Sequence, residues 1–156
     1  MRCLIQCVLL GTTLATCGCK VTSPGKLERR IVLETKHHLT VRNKSEKNPL
    51  PFNAENLAAG KEAFGHYCIV CHGLDGQNTG VPFADRMSPP PPSLASAEVQ
   101  SYTDGQLKWV IDNGIAPSGM PASKGTLSDD EIWSIVHFLR HLPPAGSLGE
   151  PEVYSH

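Results

Sequence analysis

Residues 68–72 read Cys68-Ile69-Val70-Cys71-His72. Two thiols separated by two residues can reach the two vinyl groups on one edge of a porphyrin and form thioethers with them. The imidazole of the next residue then lies under the iron. This motif predicts one covalently attached haem c, bound through Cys68 and Cys71 and ligated by His72. Because the motif occurs once in the 156 residues, we expect one haem per chain.

Two other kinds of site use a pair of cysteines at this spacing. A zinc site would need two further ligands, and the remaining cysteines that could supply them, Cys17 and Cys19, lie close to the start of the chain. A thioredoxin-like redox pair belongs to a fold of alternating strands and helices, which the sequence around the motif does not predict. Haem attachment therefore fits the sequence better than either alternative.

The sixth position of the iron needs a second ligand. The candidates are two methionines and several histidines, namely Met87, Met120, His66, His137 and His141. Met120 lies between Gly119 and Pro121, in a loop whose glycines and prolines let the backbone approach a flat macrocycle. Met87 lies within a long loop, where a methionine more often fills a gap in the packing than binds a metal. We therefore predict Met120 as the ligand.

Three helices are predicted, one before the motif at residues 68–72 and two after it. The first follows Asn53, a residue type that caps helix starts, and carries apolar residues at helical spacing up to Cys68. The second begins at Thr103 and ends at Gly114, and the third begins at Ser128 and ends before the prolines at 143 and 144. The two later helices each begin with the pattern of a capping box, Thr103 with Gln106 and Ser128 with Glu131.

The segment between the first and second helices, about residues 73–101, is too long for an idle connection in a compact domain. We expect it to wrap around another group. The predicted fold is therefore all-α, with three main helices and long loops wrapped around one covalent haem.

Residues 1–19 have the composition of an export signal. One basic residue precedes an apolar run over residues 4–15, and small residues follow it. The run is shorter than the roughly 20 residues that span a bilayer. Its end resembles a bacterial lipobox, because residues 14–17 fit apart from the threonine and Cys19 follows a suitable glycine. We expect export to the periplasmic side of a bacterial membrane, either with lipid on Cys17 or Cys19 or with complete removal of this segment.

The formal net charge of −1 hides two segments of opposite sign. Residues 20–50 contain eight basic and three acidic residues, whereas residues 53–142 contain ten acidic and five basic residues. We interpret residues 20–52 as a basic linker, with one ambiguous patch over residues 30–41 that could form a strand. The haem domain is predicted over residues 53–142, and residues 143–156 form a tail without predicted structure.

Residues 53–142 resemble class I c-type cytochromes. The matching residues are Cys68, Cys71, His72, Met120 and the framing helices. In that family the first and last helices cross, with a glycine and an aromatic residue of the first meeting an aromatic residue of the last. The resemblance implies these roles for Gly60, Phe64 and Phe138. It also implies that Trp109 and Asn113 line the haem pocket or hold its propionates, although ordinary core packing explains Trp109 nearly as well.

A haem iron held by both a histidine and a methionine has no vacant position for a substrate, which favours electron transfer. We therefore expect a single-electron carrier rather than an enzyme, with redox proteins at the membrane as partners and no nucleic acid. A haem c subunit of a larger oxidoreductase and a gas-binding haem sensor are the alternatives. The sequence contains no paired carboxylates, nucleophile elbow or phosphate loop that would indicate another activity.

Overall fold

The computed structural model describes residues 45–154 of the chain. The predicted export signal, Cys17 and Cys19, and the strand-like patch over residues 30–41 lie outside this range. So does most of the predicted basic linker. Among the described residues, no helix is both long and apolar enough to cross a membrane.

Residues 45–154 fold into α-helices and short 3-10 turns, and this part of the chain contains no β-strand. The helices are α1 Ala54–Tyr67, α2 Ile69–His72, α3 Ala97–Gln100, α4 Asp104–Asn113 and α5 Asp129–Arg140, and the 3-10 turns are Ala84–Arg86, Ala116–Ser118 and Glu152–Tyr154. The longest helices, α1, α4 and α5, are the three that the sequence predicts. The all-α fold is confirmed.

The long helices begin where their capping residues indicate. Asn53 accepts a hydrogen bond through its side chain from the backbone N–H three residues later, at 2.7 Å. Thr103 and Gln106 form a reciprocal capping box at the start of α4, and Ser128 and Glu131 form another at the start of α5. Each box satisfies two backbone N–H groups that a helix start would otherwise leave unpaired.

Helices α1 and α5 make the closest contact between elements of the fold. A Cβ atom placed on Gly60 would lie 1.9 Å from the backbone oxygen of Ser134, so only glycine permits this approach. Four residues along α1, Phe64 packs against Phe138 of α5 with ring centroids 5.1 Å apart. The predicted meeting of a glycine and two aromatic residues at the helix contact is confirmed.

Helix α5 lies at the centre of the core. Eight consecutive residues, Ile132–Leu139, are buried, which is typical of a helix surrounded by other parts of the chain. The hydrophobic cluster also includes Phe64 of α1 together with Leu107 and Ile111 of α4. Because α5 contacts both of the other long helices, it fixes their positions relative to each other.

Residues 46–52 pack on this core, although the sequence assigns them to a linker. The side-chain amide of Asn48 donates to the backbone oxygen of Trp133 at 2.8 Å. The Nε2 atom of His137 lies 3.0 Å from the backbone oxygen of Leu50. These contacts join residues more than eighty positions apart, so no local pattern in the sequence could predict them.

The tail also differs from its prediction, because it contains structure. Pro151 is fully buried, and the 3-10 turn Glu152–Tyr154 follows it. Its contacts are again with distant residues, which a search for helical or strand periodicity does not detect.

The long loop after α2 folds back on itself. The backbone N–H of Leu94 donates to the oxygen of Gly76 at 2.8 Å, and the side-chain amide of Asn78 donates to the oxygen of Pro91 at the same distance. Asn78 has a φ of +62°, a conformation that asparagine tolerates better than most residues. The two bonds hold the start and the proline run of the loop together.

Candidate functional site

Helix α1 leads directly into the cysteine–histidine motif. Tyr67 ends α1, Cys68 keeps a helical conformation, and α2 continues to His72. The backbone N–H of His72 donates to the oxygen of Cys68 at 3.0 Å, which closes one helical turn. We call residues 68–72 the attachment turn, since it brings both thiols and the imidazole onto one short piece of backbone.

Both cysteines of the attachment turn are half-buried free thiols. Burial, followed by the nearby Cys71, raises the pKa of Cys68 from 9.0 to about 12. A catalytic redox pair needs a thiol with a lowered pKa, since the thiolate is the nucleophile. Cys68 has the opposite shift, which argues against the thioredoxin-like alternative.

Burial lowers the pKa of His72 from 6.5 to about 4, so the imidazole is neutral at pH 7. A neutral imidazole is the form that binds metals. Its Nδ1 atom is buried and has no hydrogen-bond partner within residues 45–154. Such unpaired polar atoms are rare in folded proteins and often mark a site for another group. Two free thiols beside a neutral, incompletely paired imidazole fit a haem c attachment site.

Met120 lies in a loop that follows α4. The backbone N–H of Ile115 donates to the oxygen of Met120 at 3.0 Å, and the 3-10 turn Ala116–Ser118 lies between them. Gly114, before the loop, has a φ of +65°, and a Cβ atom there would lie 2.5 Å from the Met120 oxygen. Met120 and Cys68 are partly buried against the same hydrophobic core. The fold thus brings the attachment turn and Met120 to one cluster.

The other candidate ligands have different surroundings. Two of the histidines pack against residues near the start of the described chain. His137 in α5 is buried beside the Leu50 carbonyl, and His141, just after α5, stacks on Phe52 with ring centroids 4.2 Å apart. His66 is exposed on α1, and Met87 is half-buried in the long loop. The positions of these residues favour Met120, whose role as a ligand stays a prediction.

Trp109 and Asn113 lie one turn apart on α4. The side-chain amide of Asn113 donates to the backbone oxygen of Trp109 at 2.8 Å. Trp109 is half-buried and Asn113 is exposed. Their role beside a haem stays a prediction.

Two residues near the attachment turn have structural roles that the sequence did not indicate. Asp75, three residues after His72, is fully buried and accepts hydrogen bonds from both the loop and the tail. Tyr154 donates its hydroxyl to the backbone oxygen of Val70, inside the turn. An aspartate followed by a glycine is a turn signal that could have drawn attention to Asp75. Nothing in the local sequence pointed to Tyr154.

No group of three or more histidine, cysteine, aspartate or glutamate residues within residues 45–154 is arranged to hold a metal ion. Cys17 and Cys19, which the zinc alternative requires, lie outside the described residues.

Comparison with known proteins gives three kinds of similarity. The sequence model of the family "cytochrome c oxidase, cbb3-type, subunit III" matches residues 55–139. Cytochrome c6 of Tetradesmus obliquus is 30% identical over 89 residues, which cover 54% of this chain and 88% of that protein. Cytochrome c6 of Cladophora glomerata is 30% identical over 92 residues, which cover 56% of this chain and 89% of the relative.

Among solved structures, the fold is similar to that of a chain in a reducing HAO-like protein complex of Kuenenia stuttgartiensis. The TM-score is 0.51 at 22% identity, and the alignment covers 62% of this chain and 48% of that one. At this identity the similarity concerns the fold.

Proposed function

This chain belongs to the class I c-type cytochromes, and from this premise we propose that it is an exported single-electron carrier whose haem c is ligated by His72 and Met120. Covalent haem c and electron transfer follow from membership of the family. The identity of the iron ligands, the cellular location and the redox partners are our proposal. The single observation that carries it is the convergence of the attachment turn and Met120 on one hydrophobic core.

Four residues have distinct roles in this proposal. Cys68 and Cys71 would hold the haem covalently as thioethers, and His72 and Met120 would ligate its iron. The pKa of about 4 keeps His72 neutral, so no proton has to be displaced from it at pH 7. Bound haem c supplies a one-electron couple between ferric and ferrous iron.

The backbone on both sides of the proposed ligands is held by hydrogen bonds, which suits rapid electron transfer. The hydrogen bonds of α2 fix the backbone of His72, and the bond between Ile115 and Met120 closes the methionine loop. Gly114 lets the backbone approach the Met120 oxygen without a clash. A coordination sphere held in this way changes little between oxidation states. Two protein ligands also leave no position for a substrate, which favours a carrier over an enzyme.

We also propose that the carrier works on the periplasmic side of a bacterial membrane. Residues 1–19 would direct export, Cys17 or Cys19 would carry lipid, and the part of the basic segment before residue 46 would tether the haem domain. Redox proteins at the same membrane are then its partners. Incorporation of a labelled fatty acid into Cys17→Ser and Cys19→Ser variants tests the anchor: one substitution should abolish labelling. Complete removal of the segment predicts no labelling of the wild type.

A haem c subunit of a larger oxidoreductase is a second candidate, because the matching family is named after an oxidase subunit. The two proposals differ in what the protein needs in order to work. A carrier transfers electrons as a separate protein, whereas a subunit copurifies in fixed ratio with other chains. Size measurement of the protein extracted in mild detergent separates them.

Titration of the reduced protein with carbon monoxide tests the proposed coordination. If His72 and Met120 hold both axial positions, the visible spectrum should barely change. The Met120→Ala variant is the matched control and should bind carbon monoxide readily. Ready binding by the wild-type protein would instead support a gas sensor and contradict the carrier proposal.

A further inference from the structure

The end of the described chain lies against the attachment turn. The hydroxyl of Tyr154 donates to the backbone oxygen of Val70 at 2.8 Å. The Tyr154 ring packs edge-on against Phe83 of the long loop, with centroids 5.8 Å apart. Because Val70 lies between the two cysteines, the tail forms part of the surface around the predicted haem attachment.

Several contacts fix the tail in this place. The backbone N–H of Gly146 donates to Asp75 at 2.7 Å, and Pro151 is fully buried. Glu150 packs so closely on the loop that a Cβ atom on Gly80 would lie 2.5 Å from the Cβ atom of Glu150. These contacts hold the tail at Glu150 against the loop at Gly80.

A surface cavity of about 250 Å³ lies between the tail and the long loop. Its lining consists of Asn78, Gly80, Val81, Pro82, Glu150 and Tyr154. It combines a carboxylate, an aromatic ring and an amide. The amide oxygen of Asn78 is buried and has no hydrogen-bond partner within residues 45–154.

We propose that this cavity receives a lysine or arginine side chain of the redox partner. The inference rests on the proposed carrier function and adds the chemistry of the partner's surface. The Glu150 carboxylate offers a charge of opposite sign, and the Tyr154 ring offers a cation–π contact. A cation held there lies beside the attachment turn, where an electron has to leave or enter.

The surroundings of the cavity fit a partner with a basic docking face. Val70 and Val153 are 47% and 58% exposed and provide apolar contact area. Residues 45–154 contain thirteen acidic and six basic residues, so the folded part of the chain attracts cationic surfaces. Charge of this kind raises the association rate and selects the orientation of docking.

Titration of the ¹⁵N-labelled holoprotein with N-acetyl-arginine amide tests the cavity directly. Shifts of the backbone signals should concentrate at Asn78, Gly80 and Tyr154. N-acetyl-citrulline amide, a neutral molecule of the same shape, should shift them little. Equal shifts with both molecules, or shifts spread evenly over the acidic surface, would overturn the proposal.

Two variants with the same change in charge sharpen this experiment. Glu150→Gln removes the carboxylate of the cavity and should abolish the shifts at Gly80. Glu55→Gln is the control, because Glu55 lies in the first turn of α1, about 20 Å from the attachment turn at about 1.5 Å per residue. It should leave the shifts unchanged. If Glu150→Gln instead moves signals of residues 20–44, the cavity binds the chain's own basic segment, which would contradict the assignment to a partner.

Electron transfer to a guanidinium-coated gold electrode tests the link to function. Glu150→Gln should lower the rate at least about threefold at low salt, and Glu55→Gln should not. Equal rates for the two variants would refute docking through the cavity. Oxidation by ferricyanide in solution needs no cationic surface and should proceed in every variant. Failure of the wild type to react with ferricyanide would count against the carrier function itself.

Discussion

Met120 is held by its backbone as much as by its side chain. Its carbonyl oxygen accepts from Ile115 and lies against Gly114, which fixes the backbone of the loop at Met120. Met87 lies in the long loop, just after the 3-10 turn Ala84–Arg86, and is half-buried. Of these two methionines, only Met120 packs against the hydrophobic core that Cys68 and Ile69 of the attachment turn also contact.

Replacement of each methionine by alanine therefore has different expected results. Met120→Ala should remove the charge-transfer band from methionine to ferric iron and lower the reduction potential, since the thioether favours ferrous iron. Met87→Ala should keep both properties. Visible spectroscopy and potentiometric titration measure them. Loss of the band in the Met87 variant alone would overturn the ligand assignment.

Asp75 is a buried carboxylate that joins the loop after His72 to the tail. It accepts hydrogen bonds from the Thr79 hydroxyl at 2.5 Å, from the Gly146 N–H at 2.7 Å and from the Gln77 N–H at 2.8 Å. Burial alone would raise the pKa of this carboxyl, but the hydrogen bonds outweigh burial and hold the pKa below the ordinary 3.8. The ionised form is therefore the one that stabilises the fold.

Asp75→Asn should destabilise the protein by about 1–3 kcal/mol at pH 7, since an amide nitrogen would face an N–H or O–H donor. The contribution of Asp75 is complete above the pKa of an unfolded aspartate, about 3.9, and is lost as the pH falls through the lower pKa of the folded state. The variant should lack this part of the acid sensitivity. Denaturant titrations at pH 7 and pH 3, with exposed Asp130→Asn as control, measure both effects. Equal acid sensitivity of wild type and Asp75→Asn would contradict this account.

The spacing of Cys68, Cys71 and His72 predicts haem attachment, because the motif is contained in five consecutive residues. The glycine and proline beside Met120 also mark its loop. Burial of His72 could not be predicted in the same way, since it depends on residues distant in the sequence. The roles of Asp75 and Tyr154 also depend on contacts between residues that are distant in the sequence.

At the scale of elements, the contact of α1 with α5 depends on a missing side chain. The Gly60 backbone lies against the Ser134 carbonyl, where a methyl group has no space. Gly65, on the same helix, has no atom within 4 Å of the position that a Cβ would occupy. The two glycines therefore form a matched pair for mutation.

Gly60→Ala should destabilise the protein by about 1–3 kcal/mol or more, because the two helices would have to separate. Gly65→Ala should be neutral or stabilise it by about 0.5–1 kcal/mol through the higher helix propensity of alanine. Chemical denaturation of the two holoproteins gives both free energies of unfolding. Similar values for the two variants would show that the contact at Gly60 is not needed.

The elements that the sequence predicted correctly have local signals, and the segments it missed do not. Helices α1, α4 and α5 each begin at a capping residue, and two of them have a capping box. Residues 46–52 and the tail have no periodicity. They are ordered by contacts such as Asn48 with Trp133 and Tyr154 with Val70, which join residues about 85 positions apart. Only the fold brings these residues together.

At the scale of the whole molecule, the proposed haem-binding residues come from regions that are far apart in the sequence. The attachment turn follows α1, the methionine loop follows α4, and α5 packs against both helices. Residues 46–52 and 143–154 pack on this unit and extend it beyond the predicted limits of 53 and 142. Residues 20–44, which lie outside the described part, contain mostly basic charges. The predicted tether is therefore basic, whereas the folded domain is acidic.

The central claim is that one haem is covalently held by the attachment turn. Extraction of the purified holoprotein with acidified acetone tests it most directly, with Cys68→Ala/Cys71→Ala as the matched control. The account predicts that the wild-type chain retains one haem per polypeptide after extraction, whereas any haem bound by the double variant leaves with the solvent. Loss of the haem from the wild-type chain, or its retention by the double variant, would contradict the account.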